Sequence, residues 1–331
     1  MNTHSLNRRA WLCAAASALA LGAGSAAHAQ TYPTKPIKMV VPFAAGGGTD
    51  VLARVIGEKL AAGLGQPVVI DNKPGAAGII GTDAVAKAAP DGYTIVMSLS
   101  NALLTNQFLY EKLPYHPERD LTLVYQVAMG PLVLVVHPSV PAKTAPELLK
   151  YVAANKSKLA YGSYGLGAYP HLAGAHMSLT QDADMNHVAY KGEAPMVQDL
   201  IGGQIQMAYA SALQAKPHIE AGKLKAIGVT GERRMSTLPN VPTLAEQGLK
   251  DEAYRLTGWL AVAAPAGTPK PIVQRLADEI RKATQQPDVQ QKVATMGFEL
   301  KDSSPEAFAA AYKAERPVWE RLIKQSGAKL E

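Results

Sequence analysis

Cysteine is almost missing from this chain: 331 residues contain one, Cys13. It sits in an apolar N-terminal stretch with Leu12, not a small residue, before it, which is not a lipid-attachment pattern. Downstream of it, disulfides, thiolate nucleophiles and Cys-ligated metals are all excluded, and an oxidising compartment poses no difficulty. Long apolar runs are missing too, since none approaches the roughly 18 residues that a bilayer-spanning helix needs. Only 18% of the residues are charged, and the basic ones are scattered, with Arg233-Arg234 the densest pair after the N-terminal stretch and no aromatic interleaving. No nucleic-acid-binding surface is therefore expected. What the chain does have is 47% hydrophobic residues, enough for a large core and incompatible with disorder. At about 150 residues per domain, the length predicts two domains.

The N-terminus reads as an export signal. Arg8-Arg9 precede an apolar small-residue stretch, and Ala27-His28-Ala29 matches a small-x-small cleavage pattern, so residues 1–29 are expected to be removed. Both the general and the twin-arginine route fit Arg8-Arg9-Ala10-Trp11-Leu12. Removal would leave 31 basic against 27 acidic residues, a net charge of +4, a weak positive field that suits a small anion or merely reflects solvated surface charge.

From Ile37 onward short β-rich runs alternate with helical patterns, so the fold class is α/β, with mainly parallel sheets. Ile37 to Phe43 reads as a buried strand and Thr49 to Leu64 as a helix with Leu52, Ile56, Leu60 and Leu64 along one face. Strands follow at Val68–Ile70, Tyr93–Ser98, Leu132–His137, Leu159–Gly162, His187–Tyr190, Ile205–Tyr209 and Leu224–Val229, and one more after Trp259. Mostly helix is expected from there to the C-terminus. Two α/β lobes fit this count.

Three Gly-rich loops each join a strand to a helix. In Phe43-Ala44-Ala45-Gly46-Gly47-Gly48-Thr49 the glycines let backbone N–H groups approach an anion, unless the loop is only a tight turn capped by Thr49 or Asp50. Asn72-Lys73-Pro74-Gly75-Ala76-Ala77-Gly78 and Ser163-Tyr164-Gly165-Leu166-Gly167-Ala168 repeat the arrangement. Open α/β sheets bind ligands at such loops, so the three imply a cleft lined by main-chain donors. Lys191, at a strand end before Gly192, either faces that cleft or is a surface lysine.

Enzyme motifs fail against these loops. Val51 and Pro170 stand where dinucleotide fingerprints would need their last glycine, and no Walker sequence occurs. Tyr161 stands where a nucleophile elbow at Ser163 would need glycine. His171 and His176 are five apart with no Glu after His171, which does not make a zinc-protease helix. Asp182-Ala183-Asp184 lacks the glycine and distal glutamate of a calcium loop. The chain therefore reads as a protein that is not an enzyme, with no cofactor and no metal.

The order and spacing of several short motifs resemble the Bug-type (TctC-like) extracytoplasmic solute receptors of tripartite tricarboxylate transporters. They are Tyr32-Pro33 with Pro36-Ile37, Val41-Pro42-Phe43 leading to Gly46-Gly47 and Asp50, Asn72-Lys73-Pro74-Gly75-Ala76, Pro90-Asp91-Gly92-Tyr93, Tyr190-Lys191-Gly192, Asp199-Leu200-Ile201-Gly202-Gly203-Gln204 and Pro265-Ala266-Gly267-Thr268-Pro269. The resemblance covers essentially all of the chain after the export signal. It implies a two-lobed, type II-like periplasmic-binding (Venus-flytrap) fold, with residues 30–129 plus 255–331 as one lobe and 130–254 as the other. It also implies a monomer in the periplasm that captures a small carboxylate and hands it to membrane subunits. By motif match the ligand would meet Phe43, Ala44, Gly46, Gly47, Gly48, Thr49, Ala76, Ala77, Gly78, Ser163, Gly165, Gly167 and Ala168, with the Ser163 hydroxyl among the donors. Members of the family often carry Asp-Asn where this chain has Ala210-Ser211. Loss of that aspartate would leave Ser211 in a cleft without a negative group, and so favours di- or tricarboxylates or aromatic carboxylates over amino acids. A ligand sensor using the same cleft, and a hydrolase or isomerase acting on a carboxylate, are the alternatives.

Overall fold

The computed structural model describes residues 32–190 and 192–329. The expected export signal at residues 1–29, and Lys191, lie outside the described residues.

Among the described residues, eleven strands form two sheets. The first holds β1 (Ile37–Val41), β2 (Val68–Asn72), β3 (Thr94–Leu99), β4 (Leu121–Gly130), β10 (Gly258–Pro265) and β11 (Glu299–Leu300), in the order β11-β4-β10-β3-β1-β2. The second holds β5 (Val133–Val136), β6 (Ala160–Ser163), β7 (Asn186–Ala189), β8 (Met207–Ala210) and β9 (Lys225–Val229), in the order β7-β6-β8-β5-β9. Helices of eight or more residues are α1 (Gly48–Leu64), α2 (Ile79–Ala86), α3 (Ala145–Ala154), α4 (Tyr169–Thr180), α5 (Glu193–Ile201), α6 (Ala212–Glu220), α7 (Lys270–Thr284), α8 (Pro287–Thr295) and α9 (Pro305–Ser326).

The sheets share one plan. In the first, β1 lies between its parallel neighbours β2 and β3, and β10 is inserted antiparallel between β3 and β4. In the second, β6 lies between parallel β7 and β8, and β5 is inserted antiparallel between β8 and β9. The inserted strand is in each case the one that has just arrived from the other sheet. The sheets are thus mixed where the sequence predicts mainly parallel ones. The reason is that both inserted strands arrive from the other sheet and not through a helical crossover within their own, so nothing imposes parallel pairing on them.

β4 is a strand that periodicity does not reveal. Leu121–Gly130 is apolar with no clean alternation, because it is buried between β10 and β11 under helices on both faces, and such a run cannot be assigned by period. The helix from residue 48 follows its pattern: Leu52, Ile56, Leu60 and Leu64 are all buried, and Gly65 at φ +69° ends it with its N–H on the Ala61 carbonyl.

The C-terminal helices determine what stays together. α7 packs on α1 and β4, and α8 packs on α1, while α9 touches β4 of the first sheet and α4 of the second. Trp319 of α9 meets Tyr169 edge-on at 5.9 Å, and Trp259 of β10 meets Phe308 at 5.2 Å. One buried cluster consequently runs from Val40 through Trp319 to Leu134, across both sheets.

Leu60→Ala should lower stability by about 2–5 kcal/mol, because the side chain is fully buried beneath the first sheet. Val69→Ala, at a strand position 52% exposed, should change it by less than about 0.5 kcal/mol. Urea melts of the two variants measure the contrast.

Candidate functional site

A cavity of about 520 Å³ lies between the two sheets. Its walls are the C-terminal ends of three parallel strands from each sheet, a direct result of the shared strand order. Phe43, Gly48 and Thr49 come from the β1–α1 loop, Ala77 from the loop after β2, and Ser100, Asn101, Thr105 and Asn106 from the turn after β3. Facing them are Tyr164 to Tyr169 after β6, Gly192 and Glu193 after β7, and Ser211 and Leu213 after β8. Gly130, Leu132, Gly258 and Leu260 from the crossing strands, with Met296, Phe298 and Trp319, close the back.

Helix starts are satisfied differently at this cavity and away from it. α3 and α9 start away from it and are capped: Thr144 Oγ1 accepts from the Glu147 N–H and Ser304 Oγ from the Ala307 N–H. α7 and α8 lack a side-chain cap, but their first residues are exposed, so water serves them. At the loops of the cavity, α6 is capped by Ser211, whereas α1, α2, α4 and α5 have no side-chain cap. The first N–H groups of a helix have no partner within it, so amides at Gly48 and Thr49 are left for something else, with the positive end of the helix dipole behind them. Among the described lining residues there is no Lys, Arg or His.

The β1–α1 loop is shaped by one buried carboxylate. Asp50, 2% exposed, accepts from the Gly46 N–H at 2.8 Å, from Arg54 Nε at 3.0 Å and from Asn72 Nδ2 at 3.0 Å. Asn72 Nδ2 also reaches the Phe43 carbonyl at 3.1 Å, which joins the first loop to the second. Burial disfavours the charged Asp50, but Arg54, the Gly46 amide and Asn72 outweigh it and hold the carboxyl below its usual range. Asp50 is therefore spent on the loop and is no cap for α1.

The second loop is strained. Gly75, Ala76, Ala77 and Gly78 all have positive φ, at 135°, 47°, 52° and 88°. For the two alanines this costs about 1–2 kcal/mol each. Asn101 and Asn106 hold the conformation by donating to the Ala77 carbonyl at 3.1 and 3.2 Å. These asparagines follow β3, a strand end at which no glycine signals a loop, so sequence alone does not mark them.

The third loop rests on two stacked imidazoles, His171 and His187, with centroids 4.0 Å apart. His171 Nδ1 accepts from the Gly167 N–H at 3.0 Å, and His187 Nε2 lies 2.7 Å from Ser163 Oγ. Burial, and for His171 the neighbouring His187, pushes both down to about 4. Ser163 is 0% exposed and not on the cavity wall; its hydroxyl contacts the Gly165 carbonyl at 2.9 Å and the His187 ring. It supports the loop from behind.

Of the residues singled out by sequence, Phe43, Gly48, Thr49, Ala77, Gly165, Gly167, Ala168 and Ser211 line the cavity. Ala44, Gly46, Gly47, Ala76, Gly78 and Ser163 belong to the same three loops but are off its wall. Glu193 is marked by no sequence signal and is the only carboxylate among the described lining residues.

Residues 52–328 match the family model described as "Tripartite tricarboxylate transporter family receptor". The chain is 36% identical over 311 residues to Protein BugT of Bordetella pertussis, covering 94% of this chain and 95% of that one. Its structure is similar to that of the periplasmic binding protein BugD, with 35% identity, TM-score 0.76 and coverage of 91% and 100%. It is also similar to an R. palustris protein solved with adipate, with 34% identity, TM-score 0.79 and coverage of 90% and 100%. The α/β, two-lobed periplasmic-binding fold expected from sequence is the one found.

Asp50→Asn should destabilise the protein by about 1–3 kcal/mol at neutral pH by urea melts. Because the folded carboxyl titrates below 3.8, its contribution is complete above that value and is lost as the pH falls through the lowered one, so the two curves should converge in acid. The histidines act in the same direction over a higher window. The unfolded chain takes up their protons at about 6.5 and the folded one only at about 4, so stability should fall across that interval, by about 1–3 kcal/mol per histidine after allowance for solvent screening. His187→Gln should flatten the decline in thermal melting temperature.

Proposed function

The chain belongs to the tripartite tricarboxylate transporter receptor family, and on that basis we propose that it is a periplasmic receptor that captures a small carboxylate between its lobes and delivers it to the membrane subunits of such a transporter. Its relatives are solute-binding receptors, not enzymes. The single observation that carries the carboxylate reading is the uncapped start of α1, where Gly48 is half-buried, Thr49 is 6% exposed and no side chain supplies the acceptor that α3 and α9 possess. A carboxylate is the ligand whose oxygens complete it. With no cationic side chain among the described lining residues, its burial depends on several amide and hydroxyl donors acting together. Phe43, Gly48, Thr49, Ala77, Gly165, Gly167 and Ala168 are the residues proposed to surround it, with Ser100, Asn101 and Thr105 added from the turn after β3.

The lobes, taken as residues 30–129 plus 255–331 and 130–254, meet across the cavity at two glycines. Gly167, at φ +70°, abuts Leu109 so closely that a Cβ would overlap the leucine side chain. A Cβ on Gly297 would lie 3.0 Å from Ala212 Cβ. These contacts form only when the lobes are together, so they bias the closed form that holds the ligand and that a membrane partner would recognise. The export signal expected at the N-terminus, and the periplasmic home of the BugD relative, support the location.

Calorimetry of residues 30–331 with adipate, succinate and citrate should reveal binding to at least one, and failure of every small carboxylate to bind would remove the reading. Gly167→Ala should weaken that binding at least about tenfold, about 1.4 kcal/mol, by opposing closure.

A further inference from the structure

Glu193 sits at the second-lobe wall of the cavity, where the sequence leads one to expect no negative group. It is the first residue of α5 and reaches the start of α6, eighteen residues further along the chain. The Ser211 N–H donates to Glu193 Oε1, and the Ser211 hydroxyl is 3.0 Å from Oε2. The hydroxyl donates in that second bond and itself accepts from the Gln214 N–H at 3.3 Å. Both glutamate oxygens are thus engaged by Ser211.

An ionised carboxylate offers about four acceptor positions, and Ser211 fills two. The described residues provide Glu193 with no ion pair, and none of those lining the cavity is cationic. Burial pushes its carboxyl up, with the two Ser211 bonds opposing. A protein carboxylate already occupies the α6 start, so a second ligand carboxylate would meet like charge there at short range. The first-lobe wall is the reverse, with uncapped amides at Gly48 and Thr49 and no carboxylate among the described lining residues. Uncapped helix starts thus occur on both walls, α1 on the first and α4 and α5 on the second, but only the second also carries a carboxyl group among the described lining residues.

We propose that the ligand is an acid that also carries a cationic nitrogen, its carboxylate seated on the uncapped amides and its nitrogen paired with Glu193. This rests on the carboxylate-receptor reading and narrows it. Glu193 becomes the specificity-determining residue, and its Ser211 partner orients it.

The test is isothermal titration of residues 30–331, unsubstituted and as Glu193→Gln, with succinate, glutarate and adipate, each against the ω-amino acid of equal chain length. The unsubstituted protein should bind the amino acid of at least one pair at least tenfold more tightly than its dicarboxylate, and Glu193→Gln should abolish or invert that preference. Tighter binding of the dicarboxylates throughout, or a preference that Glu193→Gln leaves unchanged, overturns the inference and leaves the receptor reading standing. Binding of neither series by the unsubstituted protein counts against the receptor reading and the inference alike. Should Glu193→Gln fail to fold, a dicarboxylate preference of the unsubstituted protein still overturns the inference.

Discussion

An α-helix starts with N–H groups that it cannot satisfy itself, and this protein depends on where those starts are left bare. Away from the cavity, Thr144 and Ser304 supply the missing acceptors for α3 and α9, and water reaches the exposed starts of α7 and α8. At the cavity, α1, α4 and α5 have glycine or alanine in the capping position, and at α1, where Thr49 is 6% exposed, the acceptor is left to the ligand. The rest of the site keeps this arrangement in place. Asp50 bends the first loop by taking the Gly46 amide, Asn101 and Asn106 anchor the strained second loop through the Ala77 carbonyl, and His171 receives the Gly167 amide in the third.

The sheet plan explains why these starts converge. A parallel strand followed by a helix places the helix start at the strand's C-terminal end, so three parallel strands per sheet produce three such ends. Each sheet inserts the strand arriving from the other as an antiparallel member, which makes the two sheets topological copies that face each other. α9 then packs on both, and glycines 167 and 297 allow the close approach across the gap. Loop chemistry and closure are thereby linked: the glycine that shapes the third loop is also the one that admits Leu109.

Much of this is legible in order along the chain. The four-residue spacing of Leu52, Ile56, Leu60 and Leu64 marks a helix whose buried face is the one found. Glycine-rich strand-to-helix loops mark the cavity, because glycine is where backbone rather than side chain meets a partner. β4 is not legible, since a strand covered on both faces has no period to detect. Ser163 is misplaced by sequence for a related reason: a hydroxyl at the end of a strand can point to either face, and this one points to His187. The turn after β3 carries no local signal, because its asparagines act through the Ala77 carbonyl, a partner far away in sequence.

By itself, then, the sequence determined the α/β class, the absence of thiol chemistry after Cys13 and the positions of the donor loops. Those follow from local composition and spacing, which act over a few residues. Only the tertiary structure decided strand direction at the crossings, which loop residues reach the cavity, and that Glu193 brings a carboxyl group beside Ser211. Each of these depends on which distant segments become neighbours, and that is settled by how the two sheets pack and not by any short stretch of chain.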